Sequence, residues 1–330
     1  MVLDEVIQRF GISGAKRISE LNSGHINNTY FAECESDKNY ILQSLNRRVF
    51  RNPQAVMSNI AKIENAFSNS SEECIAVPHY LYTEDGDNYT EYNEEIFRLY
   101  AYAEPSAENI DRFYKAGFSF GTFIKTISHK NIHLDVTIER FHSFTDYFSA
   151  LISADKSSPL KKIDNSIMRR LNSLRDTIEQ VFTVDFPKRN VHNDAKISNV
   201  IFGEICTVID LDTAMPGYAA IDYGDMIRSV CATDELDFTV IRDISKGFAD
   251  GLDGILSDDE IYSLYYGILY VTGELAVRYL IDYLSKEKYF KDKTSAECLS
   301  RANELLRQLN MFISAGDEIT SIIYKAFKKK

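Results

Sequence analysis

Between Val191 and Phe202 the chain reads Val191-His192-Asn193-Asp194-Ala195-Lys196-Ile197-Ser198-Asn199-Val200-Ile201-Phe202, and soon afterwards the apolar run Thr207-Val208-Ile209 ends on Asp210-Leu211-Asp212. The first segment has the form HxDxxxxN between apolar flanks. The second is a strand pattern that ends in a carboxylate. Such a set suits phosphoryl transfer, which asks little covalent chemistry of a protein. It needs a carboxylate at the acceptor hydroxyl and oxygen ligands for a magnesium ion that draws charge from the phosphates. Mg2+ is a hard ion that takes carboxylate and amide oxygens and keeps several waters. Asp194 fits the hydroxyl, and Asn199 with Asp210 fits the metal. Taken singly, each reads as a turn cap or a solvated strand end; the complete ordered string outweighs that plain reading.

The elements that must position this string fall into two kinds. Residues 2–10 pattern as a short amphipathic helix ended by Gly11. Strand patterns follow at Lys16–Leu21, Thr29–Glu35 and Tyr40–Leu45, and later at Ala76–Thr83 and Ile96–Ala103. Asn52-Pro53 opens one helix that runs through Ile60, Ile63 and Phe67. The polar stretch Glu84–Tyr92 reads as a turn. After Glu104-Pro105 helical periodicity dominates: Ile110–Ile127, Phe144–Ala154, Ile163–Val181, Tyr223–Ala232, Asp237–Leu252, Asp258–Leu284 and Ser295–Phe312. One β-rich island, Val191–Leu211, interrupts these helices and carries the acidic string. The pattern predicts a small β lobe, a connector and a larger helical lobe with one short hairpin.

Composition narrows the functional classes. At 330 residues and 45% hydrophobic content the chain can bury a substantial core in two lobes. Its net charge of -12 and pI near 5.1 repel phosphate backbones, so nucleic acid is excluded as a partner. The five cysteines are scattered and never spaced CxxC, which fits free thiols in a reducing cytoplasm. No basic-then-apolar leader opens the sequence. Tyr262–Tyr283 comes nearest to a membrane span, but Glu274, Arg278 and Asp282 interrupt it, and it reads as a buried helix. A soluble cytoplasmic protein without a membrane partner is expected.

The string HNDAKISN…VIDLDTAMPG…IDYGDMIR resembles the aminoglycoside phosphotransferase/choline kinase superfamily, and within it the N-acetylhexosamine 1-kinase branch. The similarity extends over nearly the whole chain, including SGHINNTY, YILQSLNRRVFRNPQAVMSNI, FRLYAYAE and RYLIDYL…YFK. It implies an α+β, protein-kinase-like bilobal fold. Residues 1–103 would form the nucleotide-binding lobe and residues 104–330 the catalytic and substrate-binding lobe. It carries Asp194 over as the catalytic base or hydroxyl-positioning group, and Asn199 and Asp210 as ligands of Mg2+. Asp212 matches an acidic position of the branch on the metal or sugar side. His192 would brace the loop, and Asp222 and Asp225 would anchor it and the following helix.

On the nucleotide side, Ser23-Gly24-His25-Ile26-Asn27-Asn28 lies between two strands, where such kinases place a loop over the phosphates of ATP. Gly24, His25 and Asn27 are its candidate contacts, His25 for phosphate or sugar. One glycine permits close backbone approach, and GxxxxGK[ST] is absent. Kinases usually place a Lys or Arg on the third strand, paired with a helix acid. Here Gln43 occupies that position, Glu64 is the candidate acid, and Arg47, Arg48 or Arg51 is left to supply the charge. Tyr100 lies on the strand that leads to the adenine hinge. For the acceptor, Arg278, Tyr279 and Arg301 sit on late helices resembling the branch, with Arg301 the favoured sugar contact. The resulting reading is a Mg-ATP-dependent kinase of the anomeric hydroxyl of an N-acetylhexosamine or related sugar. An aminoglycoside, choline or another amino alcohol is the alternative acceptor. A nucleotide-binding module without activity is the alternative outside enzymes.

Overall fold

The computed structural model describes residues 2–21, 26–34, 38–70, 74–105, 111–129, 132–158, 161–231, 235–290 and 293–328. In chain order the first elements are α1 (Val2–Gln8), β1 (Ala15–Leu21), β2 (Asn28–Cys34), β3 (Asn39–Ser44), α2 (Pro53–Ser68), β4 (Ile75–Ala76), β5 (Thr90–Tyr92) and β6 (Glu95–Ala101). Then come α3 (Arg112–His129), α4 (Phe144–Ser157), α5 (Asn165–Val181), β7 (Arg189–Val191), β8 (Val200–Ile201) and β9 (Cys206–Val208). The chain closes with α6 (Ala219–Val230), α7 (Phe238–Leu252), α8 (Asp258–Leu284), α9 (Ser295–Ser314) and α10 (Gly316–Phe327).

Two compact units emerge. Met1–Ile110, Thr126–Glu139 and Asn199–Pro216 make up the first; Asp111–Lys125, Arg140–Ser198 and Gly217–Lys330 make up the second. The sequence pattern suggested one boundary near residue 103. The units instead interleave, and the acidic string passes from the second to the first between Ser198 and Asn199.

The first unit is built on an antiparallel sheet ordered β1-β2-β3-β6-β5. Strand alternation sorts its side chains onto two faces. Ala32, Cys34, Tyr40, Leu42, Phe97 and Leu99 form a buried cluster with Val6, Ile7 and Phe10 from α1 and its end. Gln43 and Arg98 lie on the other face. α2 begins as its sequence dictates: the Asn52 side chain accepts from the Ala55 amide at 3.2 Å and Pro53 takes the first helical position. A second small sheet joins β4 parallel to β9 and β9 antiparallel to β8.

The expected strand Ala76–Thr83 is a correction. Only Ile75–Ala76 is strand; Pro78, which has no N–H and a fixed φ, interrupts the ladder. Beyond it the segment follows β6 irregularly, through Leu81 N to Leu99 O at 2.8 Å and Ala101 N to His79 O at 3.0 Å. The stretch read as a turn ends instead in β5, closed onto β6 by Asn93 and Glu94 with φ of 50° and 67°. Two left-handed residues in a row make the tight hairpin whose twist matches its strands. α10 lies beyond Phe312, where the sequence pattern predicts no helix.

The second unit is helical. α8 is its buried centre, as its long apolar pattern predicted, and it starts in a capping box of Ser257 and Glu260. Among the described residues no helix is long and apolar enough to cross a membrane. α6 crosses α8 in close contact at Gly224. A Cβ on Gly224 would lie 2.5 Å from the carbonyl carbon of Gly267 and 2.8 Å from the Ile268 nitrogen. Gly224→Val is therefore expected to cost about 3 kcal/mol through overpacking. Urea unfolding checks this, and a variant of wild-type stability would mean that the helices separate freely.

Candidate active site

In the second unit, β7 ends at the fully buried Val191 and the chain turns sharply through His192 and Asn193. Asn193 has φ of 60°, a left-handed conformation that Asn tolerates better than most residues. The turn presses against Gly217, where a Cβ would come within 2.7 Å of the Val191 methyl and 2.5 Å of Asn193 Oδ1. Both backbone amides of the turn are held by Asp222, in the first turn of α6. The His192 N–H donates to Oδ2 and the Asn193 N–H to Oδ1, each at 2.7 Å. Asp222 is fully buried, and burial raises its carboxyl to about 7 although the two amides oppose the shift. The His192 ring is buried between Phe120 and Phe123, with centroids 5.3 and 5.7 Å away. It braces the loop, as expected.

A residue that no local sequence pattern marks completes the brace. His142, from the segment before α4, places Nε2 2.8 Å from the Asn193 carbonyl and Nδ1 3.0 Å from Glu274 Oε2. Burial pulls the ring toward neutrality, but the Glu274 carboxylate and its hydrogen bond, Asp225 and the Asn193 carbonyl outweigh this and raise its pKa to about 9. The protonated ring donates to both partners. The next residue, Asp194, is partly exposed and takes the Lys196 ammonium on Oδ2 at 2.8 Å. Asp225 does not share in holding the loop's amides: its Oδ1 accepts from Arg228 at 3.0 and 2.8 Å.

In the first unit, the metal candidates lie in one hairpin. Val200 pairs with Val208, and the Ile209 amide donates to the Asn199 carbonyl at 2.9 Å. This register puts buried Asn199 across from Ile209, one residue from Asp210. Asp210 has φ of 63° and opens a 3-10 turn, Leu211–Thr213. An amide just before β8 and a carboxylate just after β9 offer two hard oxygen donors, the number a magnesium ion usually takes from a protein before phosphates and waters fill the rest.

Asp212 follows inside that turn, 2% exposed. Its Oδ1 accepts from Arg98 Nη1, and its Oδ2 accepts from Asn27 Nδ2 at 2.6 Å. Asn27 also takes the Asn46 amide on Oδ1 at 3.0 Å. Gln43 is the third-strand position, and its Oε1 accepts from Arg98 Nε and Nη2 at 3.0 and 2.7 Å. Its Nε2 donates to Thr29 Oγ1 at 3.0 Å. Tyr100, further along β6, is half-buried, and desolvation raises its phenol; Arg98 opposes the rise, and Asp210 and Asp212 add to it. Gly24 and His25 lie outside the described residues.

Two expectations about charge need correction. Arg47, Arg48 and Arg51 are all exposed, with Arg47 paired to Glu91 at 3.0 Å; the buried arginine beside Gln43 is Arg98. Its signal was a charged residue alternating with Phe97 and Leu99 along a strand. Glu64 is buried, but its Oε1 accepts from the Tyr80 amide at 2.9 Å instead of meeting a third-strand cation, and burial raises its carboxyl. Arg278 is enclosed by Tyr147, Tyr289 and Phe290, at 5.4, 4.6 and 5.7 Å from their ring centroids. Arg301, by contrast, is 38% exposed and pairs with Glu304 at 2.7 Å.

These features are those of a phosphoryl-transferring enzyme. Residues 17–253 match the phosphotransferase enzyme family, and the chain belongs to that family. It is a small-molecule kinase of the aminoglycoside phosphotransferase/choline kinase superfamily. Its fold is similar to that of the microcompartment-associated aminopropanol kinase, with TM-score 0.71, 13% identity and coverage of 97% of this chain and 98% of the other. A spectinomycin phosphotransferase in complex with ADP and spectinomycin gives TM-score 0.59 at 16% identity, covering 98% and 97%. Choline kinase from Cryptosporidium parvum gives 0.58 at 10%, covering 91% and 90%. The expected α+β, kinase-like architecture is thereby established.

The His142 brace has a definite pH signature. Its folded pKa lies above the free value of 6.5, so its contribution is complete below about pH 6.5 and is lost as pH rises through about 9. The stability difference between wild type and His142→Gln should fall by an amount on the order of 3 kcal/mol between those limits. Urea unfolding at a series of pH values measures it, and a constant difference would mean that the ring is neutral throughout.

Proposed function

We propose that the chain transfers the γ-phosphoryl group of Mg-ATP to the anomeric hydroxyl of an N-acetylhexosamine or a related sugar, in the cytoplasm. The observation that carries the reading is the braced loop. Asp222 holds two of its amides and His142 holds a carbonyl, so Asp194 projects from a backbone with little freedom. In this reading the acceptor O–H donates to the Asp194 carboxylate, which orients the oxygen for in-line attack. The acceptor oxygen forms the new bond to phosphorus, the bond to the bridging oxygen of ADP breaks, and the acceptor proton passes to Asp194. Asn199 and Asp210 would hold the magnesium ion, which when bound offsets charge on the β- and γ-phosphates. The nucleotide side would comprise Gly24, His25, Asn27, Gln43 and Tyr100. His25 and Arg301 would contact the sugar, and Asp212 would serve that side by fixing Asn27.

The choice of a neutral acceptor over an amine has its own support. Cationic alcohols are best held in aromatic cages. Among the described residues the only Lys or Arg lying over more than one ring is Arg278, so that three-ring cage is already filled by the protein's own cation. The sequence also has no Trp, the best cage residue. The amino-alcohol reading draws on the aminopropanol, choline and ethanolamine kinases that share the fold, and on the acidic net charge. Five free cysteines agree with a reducing compartment.

Asp194→Asn should lower kcat by about 100-fold or more while leaving Mg-ADP affinity within about twofold. Asp210→Asn should raise the magnesium concentration needed for half-maximal nucleotide binding. Steady-state assays with N-acetylglucosamine and calorimetry check both. Unchanged turnover in Asp194→Asn would remove the proposed base.

A further inference from the structure

Resting on the kinase reading above, we propose that Arg98 does the work of the missing third-strand cation, acting as a positioning residue that holds the metal-binding turn against the sheet.

The argument starts from strand register. Thr29 pairs with Gln43 across β2 and β3, and Gln43 pairs with Arg98 across β3 and β6. The three side chains form one hydrogen-bonded row on one sheet face, running from Thr29 Oγ1 through both ends of the Gln43 amide to the guanidinium. The row ends on Asp212, two residues beyond Asp210. Arg98 is 1% exposed and is the only buried Lys or Arg among the described residues. Its guanidinium also lies 5.6 Å from the Tyr80 ring centroid.

The cost of burial makes this arrangement informative. A buried ion pair adds little stability compared with apolar residues of the same volume, so packing alone does not call for one. A site that must accept a polyphosphate and a divalent ion beside two carboxylates does need a fixed positive charge nearby. Gln43 is neutral and accepts twice from Arg98, so it orients the guanidinium toward Asp212 and leaves its charge to offset that buried carboxylate. Glu64, the acid that would pair with a third-strand cation, is used instead on the Tyr80 amide. The same turn reaches Asn27, since Asn27 bonds Asp212 and the Asn46 amide. Arg98 thereby sets the backbone that carries Asp210 and the start of β2 together.

The test moves the cation between strands and reads binding, not turnover. Arg98→Gln, Arg98→Lys and the transplant Gln43→Lys/Arg98→Gln are compared with wild type by thermal unfolding and by Mg-ADP calorimetry across a magnesium series. Arg98→Gln should weaken Mg-ADP binding by at least about tenfold and raise the magnesium requirement. Arg98→Lys should lose less, and the transplant should recover binding to within about threefold of wild type. If Arg98→Gln fails to fold, the transplant decides. A folded transplant that does not bind, or a folded Arg98→Gln with the wild-type magnesium dependence, would overturn the inference. A wild-type chain that bound no Mg-ADP would instead overturn the kinase reading, and this inference with it.

Discussion

A phosphoryl-transfer site gathers carboxylates, and every carboxylate removed from water must be compensated by a fixed donor. That requirement organises much of this protein. Asp222 is compensated by two loop amides, Glu274 by His142, Asp212 by Arg98 and Asn27, and Glu260 by Arg189. Asp282 is compensated by the amides of Tyr289 and Phe290, at 3.1 and 2.8 Å, which presents their rings around Arg278. In each case the compensating bond fixes a loop or strand that carries a candidate functional group. Electrostatic necessity and positional precision are met by the same contacts.

The two units meet the requirement differently. In the helical unit the acids sit on helices, and the close contact of α6 with α8 at Gly224 sets how far Asp222 stands from the loop it holds. In the sheet unit strand register does the positioning. Pairing of Thr29, Gln43 and Arg98 places three polar groups in line. The β8–β9 hairpin places Asn199 beside Ile209, one residue before Asp210. Asn193 and Asp210, the two left-handed residues next to or within the candidate set, mark the points where the chain leaves regular structure to expose a side chain.

Much of this was legible in the residues because their spacing is local. The HxDxxxxN string, the acidic strand end, the Asn52-Pro53 helix start and the helical periodicities all lie within short windows, and the structure forms those elements. What was not legible depends on partners distant in the chain. His142 meets Asn193 and Glu274 across 51 and 132 residues, and Arg98 meets Asp212 across 114. Nothing in the windows around His142 or Arg98 announces those partners. Pro78 sits inside an otherwise alternating pattern, and the pattern does not register the N–H that it lacks. The hairpin at Asn93 and Glu94 was hidden because neither residue is a glycine. The acceptor is harder still, because similarity at 10–16% identity carries the fold, the family match carries the reaction class, and both leave the pocket to individual side chains.

The most direct test of the account is to follow Mg-ATP with a mixture of N-acetylglucosamine, N-acetylgalactosamine, choline, ethanolamine and kanamycin, and to identify the product by phosphorus NMR. The account predicts an acid-labile sugar 1-phosphate, its phosphorus coupled to the anomeric proton, formed from an N-acetylhexosamine. A phosphate ester of choline, ethanolamine or kanamycin as the product would keep the loop and metal assignments and contradict the acceptor.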